Sequence, residues 1–147
     1  MMDIEKFNLK SKHSAHFLKM ALDTERRQVP TDFDGFGKRT GICGDTVEIF
    51  ISVRDECIRS VAYMTDGCLN TSACANTVAF LAEGRTIDAG WEIKTEHVID
   101  YLESLPAQET HCAELAVGAL YLALANCQDI KWSSWKKLYQ KKTSPER

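Results

Sequence analysis

No run in this sequence approaches the roughly 18 consecutive apolar residues that a membrane-spanning helix requires. No excess of basic charge is present either. The formal net charge is −3, which gives no general reason to expect nucleic acid as a partner. Met1 to Lys19 scatters its charges and has no continuous apolar segment, so it does not read as a secretory signal. The expected setting is cytoplasmic. Internal repeats, low-complexity tracts and Cys-x-x-Cys pairs are all missing. The glycine-rich run Gly35 to Gly41 resembles a phosphate loop only superficially. That motif would need glycine at Asp32 and Ser or Thr at Arg39, so no nucleotide site follows.

What the chain does contain is ordinary globular material plus six cysteines. Hydrophobic residues make up 44% and charged residues 27%, and 147 residues suffice for one core without disulfide staples. The expected organisation is one domain over 1–147. It comprises an N-terminal helix and linker (1–30), a core (31–128) and a basic amphipathic C-terminal helix and tail (129–147). Ser11 to Gln28 is helix-compatible, and Val29-Pro30 ends that segment because the residue before proline is driven out of helical conformation. The glycine-rich run then predicts a short irregular strand. Val47, Ile49, Ile51 and Val53 alternate strictly, and Ile58 to Met64 follow the polar turn Arg54-Asp55-Glu56, which predicts an antiparallel hairpin.

Beyond Gly67 the period becomes helical. Cys74, Thr77, Val78 and Leu81 share one face, with Gly84 as the C-terminal stop. Thr95 predicts the cap of a short helix carrying Val98, Ile99 and Leu102, which halts before Pro106. Cys112 to Cys127 is apolar over most of its circumference and predicts a central helix. Lys131 to Lys142 sets Trp132, Trp135, Leu138 and Tyr139 against lysines, an amphipathic pattern. The expected fold class is α+β, with a small antiparallel sheet of about three strands and helices packed on one face.

In a reducing compartment, thiols serve as metal ligands, as reactive groups or as small core fillers. Cys74 and Cys127 fall on apolar helical stripes and are expected in the core. Cys57 opens a strand, where a half-buried structural role is expected. His13 and His16 predict a solvated face, and His97 a surface position. Cys43, Cys68 and Cys112 differ, because each sits at an element boundary. Cys43 lies in Gly41-Ile42-Cys43-Gly44-Asp45, Cys68 in Asp66-Gly67-Cys68, and Cys112 follows His111. A thiol at a helix N-terminus faces the positive end of the dipole, which predicts lowered pKa values for Cys68 and Cys112. Thiolates with an imidazole suit zinc or iron–sulfur clusters. Asp45 supplies a harder ligand that would hold a cluster less firmly than a fourth thiolate.

The segment from about Gly41 to Ala125 resembles the IscU/NifU-type iron–sulfur assembly scaffolds. The likeness is carried by Cys43-Gly44-Asp45, by Thr65-Asp66-Gly67-Cys68 before a small-residue helix, and by Glu83-Gly84-Arg85-Thr86-Ile87-Asp88-Ala89. Leu105-Pro106 and His111-Cys112-Ala113-Glu114-Leu115-Ala116 complete it. The resemblance implies that Cys43, Cys68 and Cys112 are cluster ligands and sulfur acceptors, Asp45 the labile ligand, and His111 an alternative ligand or a partner of one. It implies a transient iron–sulfur cluster, two-iron ahead of four-iron, with zinc binding when iron is absent. The implied partners are a cysteine desulfurase and acceptor apoproteins, on a monomer or homodimer that is not an enzyme. Relatives served by a DnaK-type chaperone carry Leu-Pro-Pro-Val-Lys before the His-Cys pair. Here the run is Leu105-Pro106-Ala107-Gln108-Glu109, which argues against that chaperone. The alternative is a zinc-dependent sulfurtransferase that accepts persulfide sulfur. Relatives of that type usually carry an insertion between the second and third cysteines, which is absent here.

Overall fold

The structure is a computed structural model that describes the backbone of residues 14–143 and the side chains of residues 14–128. In chain order it comprises α1 (Ala15–Leu22), β1 (Gly35–Thr40), β2 (Thr46–Arg54), β3 (Cys57–Thr65) and α2 (Leu69–Ala82). There follow α3 (Ile87–Gly90), α4 (Thr95–Leu102), a 3-10 turn (Ala107–Glu109) and α5 (Thr110–Thr143). The strands form one antiparallel sheet in the order β1-β2-β3, as the α+β reading expects. Among the described residues no helix is long and apolar enough to cross a membrane.

Alternation sets which face of the sheet is covered. Val47, Ile49 and Ile51 of β2 and Ile58, Val61 and Tyr63 of β3 are buried in one core with α2 and α5. Each such side chain contributes about 1.5–3 kcal/mol on burial. On the other face, Phe50 is sheltered by Phe33 and Phe36, whose ring centroids both lie 5.1 Å from its own. Helix α2 is buried without a break from Thr71 to Ala79, so it is a central helix rather than an amphipathic one.

The glycine-rich run is a regular strand, paired with β2 from Gly35↔Ile51 to Thr40↔Thr46. Its glycines let the backbone of α5 lie directly on β1. A Cβ at Gly35 would come within 2.5 Å of the Ala123 carbonyl oxygen, and one at Gly37 would strike that of Ala119.

Three other expectations are corrected. Helix α1 ends at Leu22, short of Gln28. Asp23 Oδ1 accepts from the Glu25 N–H at 2.9 Å, and the Arg26 carbonyl accepts from the Tyr63 N–H at 2.9 Å, so the sheet edge captures the chain. Cys57 is exposed, because it stands opposite Arg54 at the hairpin end beyond the packed core. The C-terminal segment is not a separate helix, since α5 runs unbroken from Thr110 to Thr143. The expected Trp132/Trp135 stripe and its lysines fall outside the described side chains, and His13 outside the described residues. His97 is exposed as expected, and its Nδ1 accepts from the Lys94 N–H at 3.0 Å. His16 is exposed and stacks on Tyr101.

Candidate metal centre

All five expected site residues lie on turns or helix starts. Cys43 and Asp45 occupy the turn between β1 and β2, Cys68 is the N-cap of α2, and His111 and Cys112 open α5. Thr40 pairs with Thr46, and Val47 with Thr65, so the β1–β2 turn and the exit of β3 share one end of the sheet. The loop after β3 is tied there. The Thr65 hydroxyl donates to the Thr46 carbonyl at 2.7 Å, and Asp66 Oδ1 accepts from the Thr46 N–H at 2.8 Å. Arg27 braces the same loop from outside, donating to the Thr65 carbonyl at 2.8 Å and toward the Ser72 hydroxyl at 3.5 Å.

One hydroxyl joins three of the expected ligands. Thr71 Oγ1 lies 3.0 Å from Asp45 Oδ2, 3.5 Å from Cys112 Sγ and 3.7 Å from Cys68 Sγ. A single hydroxyl proton serves one acceptor at a time. Thr71 therefore donates to Asp45 or Cys112, while its lone pairs remain open to the Cys68 thiol. Gly67 makes this possible, because a Cβ there would sit 2.7 Å from both Cβ and Oγ1 of Thr71.

A second group adjoins the first through Cys112. Glu109 Oε2 lies 3.6 Å from Cys112 Sγ and 3.6 Å from His111 Nε2. The donor atoms of Glu109, His111 and Cys112 all fall within 4.8 Å of one another, and this is the one such tight group among the described residues. Cys43, Asp45 and Cys68 stand outside it. Cys43 is exposed, and its sulfur lies 3.7 Å from where a Gly41 Cβ would be; that same position is 3.3 Å from Leu115, one turn along α5 from Cys112. Ile42 beside it is 98% exposed.

The expected lowering of the Cys112 pKa is reversed. Burial pushes this thiol up to about 12, against a smaller opposing effect of the Thr71 hydrogen bond, and Cys68 and Glu109 add to the rise. Cys112 is wholly buried, and loss of water around the thiolate is the largest cause of the rise. Cys74 behind it is raised well above its ordinary value, chiefly by burial, which fits the core role expected of it.

A family profile described as NifU-like N terminal domain matches residues 18–133. The chain belongs to this NifU-like family. "Iron-sulfur cluster assembly scaffold protein IscU" of Rickettsia prowazekii is 31% identical over 107 residues, which is 72% of this chain and 78% of that protein. "Iron-sulfur cluster assembly scaffold protein IscU 1" of Archaeoglobus fulgidus is 34% identical over 96 residues, or 65% of this chain; the match spans 63% of the archaeal protein's length. Among solved structures, a NifU-like protein (N-terminal) from Brucella abortus superposes with a TM-score of 0.63 at 17% identity, covering 79% of this chain and 94% of that one. At that identity the likeness is one of fold.

Two residues that meet the expected ligands were not among those expected, Thr71 and Glu109. Thr71 lies three residues after Cys68 and therefore shares its helix face, a usable signal. Glu109 lies three before Cys112, but the 3-10 turn that aims it at the thiol carries no comparable pattern.

Proposed function

We propose that this protein is a scaffold on which iron–sulfur clusters are built from iron and desulfurase-derived sulfur, then released to acceptor apoproteins. The observation that carries the reading is the convergence of Asp45, Cys68 and Cys112 on the Thr71 hydroxyl at one end of the sheet. Membership of the NifU-like family supports it, as do the relatives quoted above that are named as assembly scaffolds. Those names favour the scaffold over the zinc-dependent sulfurtransferase.

In this reading Cys43, Cys68 and Cys112 hold the cluster, Asp45 is the ligand that lets go, and His111 is the alternate. The donor set suits such a cargo: soft sulfur for iron and sulfide, with a harder oxygen to weaken retention. The exposed thiols Cys43 and Cys68 are open to a desulfurase persulfide. A thiolate at either position attacks the terminal sulfur. A new S–S bond forms on the scaffold as the persulfide bond breaks, and the desulfurase cysteine leaves as thiolate. Cys112 must shed its proton to join a cluster, so metal binding there releases one.

The same reading takes residues 1–147 as one domain, cytoplasmic, non-enzymatic, monomeric or homodimeric, without a nucleic-acid partner and without the sequence run that would support delivery by a DnaK-type chaperone. Anaerobic incubation with ferrous iron, cysteine and a cysteine desulfurase tests it. The expected result is visible charge-transfer absorption with stoichiometric iron and sulfide, lost in Cys68→Ser and Cys112→Ser. Stoichiometric zinc with a stable persulfide and no visible band would favour the sulfurtransferase instead. Asp45→Ala is expected to slow cluster transfer to an acceptor apoprotein. Unchanged transfer kinetics would remove Asp45 from its role.

A further inference from the structure

The geometry points to a three-donor site for one borderline divalent cation, ferrous iron or zinc, formed by Glu109, His111 and Cys112, with Glu109 as a direct ligand. This deepens the scaffold reading and rests on it for its purpose. The metal chemistry is separable.

The spacing fits an ion. With M–S of about 2.3 Å and M–O and M–N of about 2.0–2.1 Å, tetrahedral angles put S···O at roughly 3.5 Å and N···O at roughly 3.3 Å. Here one carboxylate oxygen, Glu109 Oε2, lies 3.6 Å from Cys112 Sγ and 3.6 Å from His111 Nε2. Two edges of the tetrahedron are therefore set to within a few tenths of an ångström before any ion arrives. All three donor atoms lie within 4.8 Å of one another, so small side-chain adjustments close the third edge. The side chains of Glu109 and His111 are 29% and 30% exposed, open enough to admit an ion yet partly withdrawn from water.

Chemistry points the same way. Oxygen, nitrogen and a single sulfur form a borderline donor set, suited to zinc or ferrous iron rather than to calcium or to copper(I). Three protein donors leave a fourth position open. On binding, the metal–sulfur bond replaces the Cys112 S–H bond, and that proton leaves to solvent with no change of oxidation state. Cys43 and Cys68 stand outside this tight group.

The test uses metal alone, on the full chain without iron, sulfide or desulfurase. Zinc affinity is measured by competition with a chromophoric chelator, and cobalt(II) reports the ligand set by its d–d and thiolate-to-metal bands. Glu109→Gln keeps an oxygen to accept the Cys112 S–H in the metal-free fold and removes the charged ligand. Zinc binding is expected to weaken about tenfold or more, the scale on which loss of even an outer partner acts. The cobalt d–d bands should shift, and Glu109→Asp should retain more affinity than Glu109→Gln. Native zinc affinity and an unchanged cobalt spectrum in Glu109→Gln, with affinity lost in Cys112→Ser, would overturn the proposal. Should Glu109→Gln fail to fold, judged by its metal-free melting curve, Glu109→Asp decides: affinity and cobalt bands identical to native would refute Glu109 ligation. Failure of the native protein to build a cluster would sink the scaffold reading and leave this zinc result standing.

Discussion

Thr71 Oγ1 touches atoms of Asp45, Cys68 and Cys112, and it is fully buried. Removing the hydroxyl leaves the carboxylate short of a donor and lets the two sulfurs drift. Thr71→Val, nearly isosteric, is therefore expected to weaken zinc binding about tenfold, a loss comparable to deleting an outer partner of a metal ligand, while Thr71→Ser restores most of it. Equal affinities across native, Val and Ser proteins would count against a positioning role. A threonine early in a helix of Ala, Ser and Asn does not announce itself. Only its spacing from Cys68 hinted at a shared face. Sequence placed Cys112 correctly at a helix start but missed its burial, so the dipole argument gave the wrong sign for its pKa.

At the scale of elements, the contact between β1 and α5 rests on missing side chains. Gly35 and Gly37 face Ala119 and Ala123, and strand meets helix through backbone. Gly37→Ala is expected to destabilise the fold by about 1–3 kcal/mol, the usual range for overpacking, toward its upper end because backbone lies against backbone here. A urea midpoint within error of native would show that α5 can shift away. The run looked irregular in sequence because glycine reads as a strand weakener. Close approach of a helix supplies the opposite reason for it, one visible only once α5 is seen lying across the strand. The β2 and β3 alternation was legible for a simpler reason: one face meets the core and the other does not. Helix α1 was overestimated because helix propensity continues past Leu22, while the edge of β3 offers Arg26 and Arg27 hydrogen bonds that a longer helix would forgo.

Across the whole molecule, several buried or partly buried acids are tuned in one direction. Burial is the leading cause of the raised pKa at Cys74, Cys112, Cys127, Tyr63 and Tyr121. Each is neutral when protonated, so the fold holds these protons more tightly than the unfolded chain does. The associated stability is complete below the ordinary values of 9.0 for thiol and 10.0 for phenol, and is lost as pH rises through the folded values, for Cys112 from about 9 to about 12. The urea midpoint of the metal-free protein is expected to hold between pH 7 and 8 and to fall by pH 10.5. A flat profile would contradict the burial of these groups. By itself the sequence determined the α+β class, the β2–β3 hairpin, the central helix that begins at the His111-Cys112 pair and the boundary positions of Cys43, Asp45, Cys68, His111 and Cys112. Those follow from local period and from glycine beside cysteine, which a chain carries in its own order. The tertiary structure decided which donors meet. Thr71 became the junction of Asp45, Cys68 and Cys112, and Cys112 lost its access to water. The distances that join Thr71 to Asp45 and to Cys112, 26 and 41 residues away, and the dielectric around them, are set by packing and are written in no single segment.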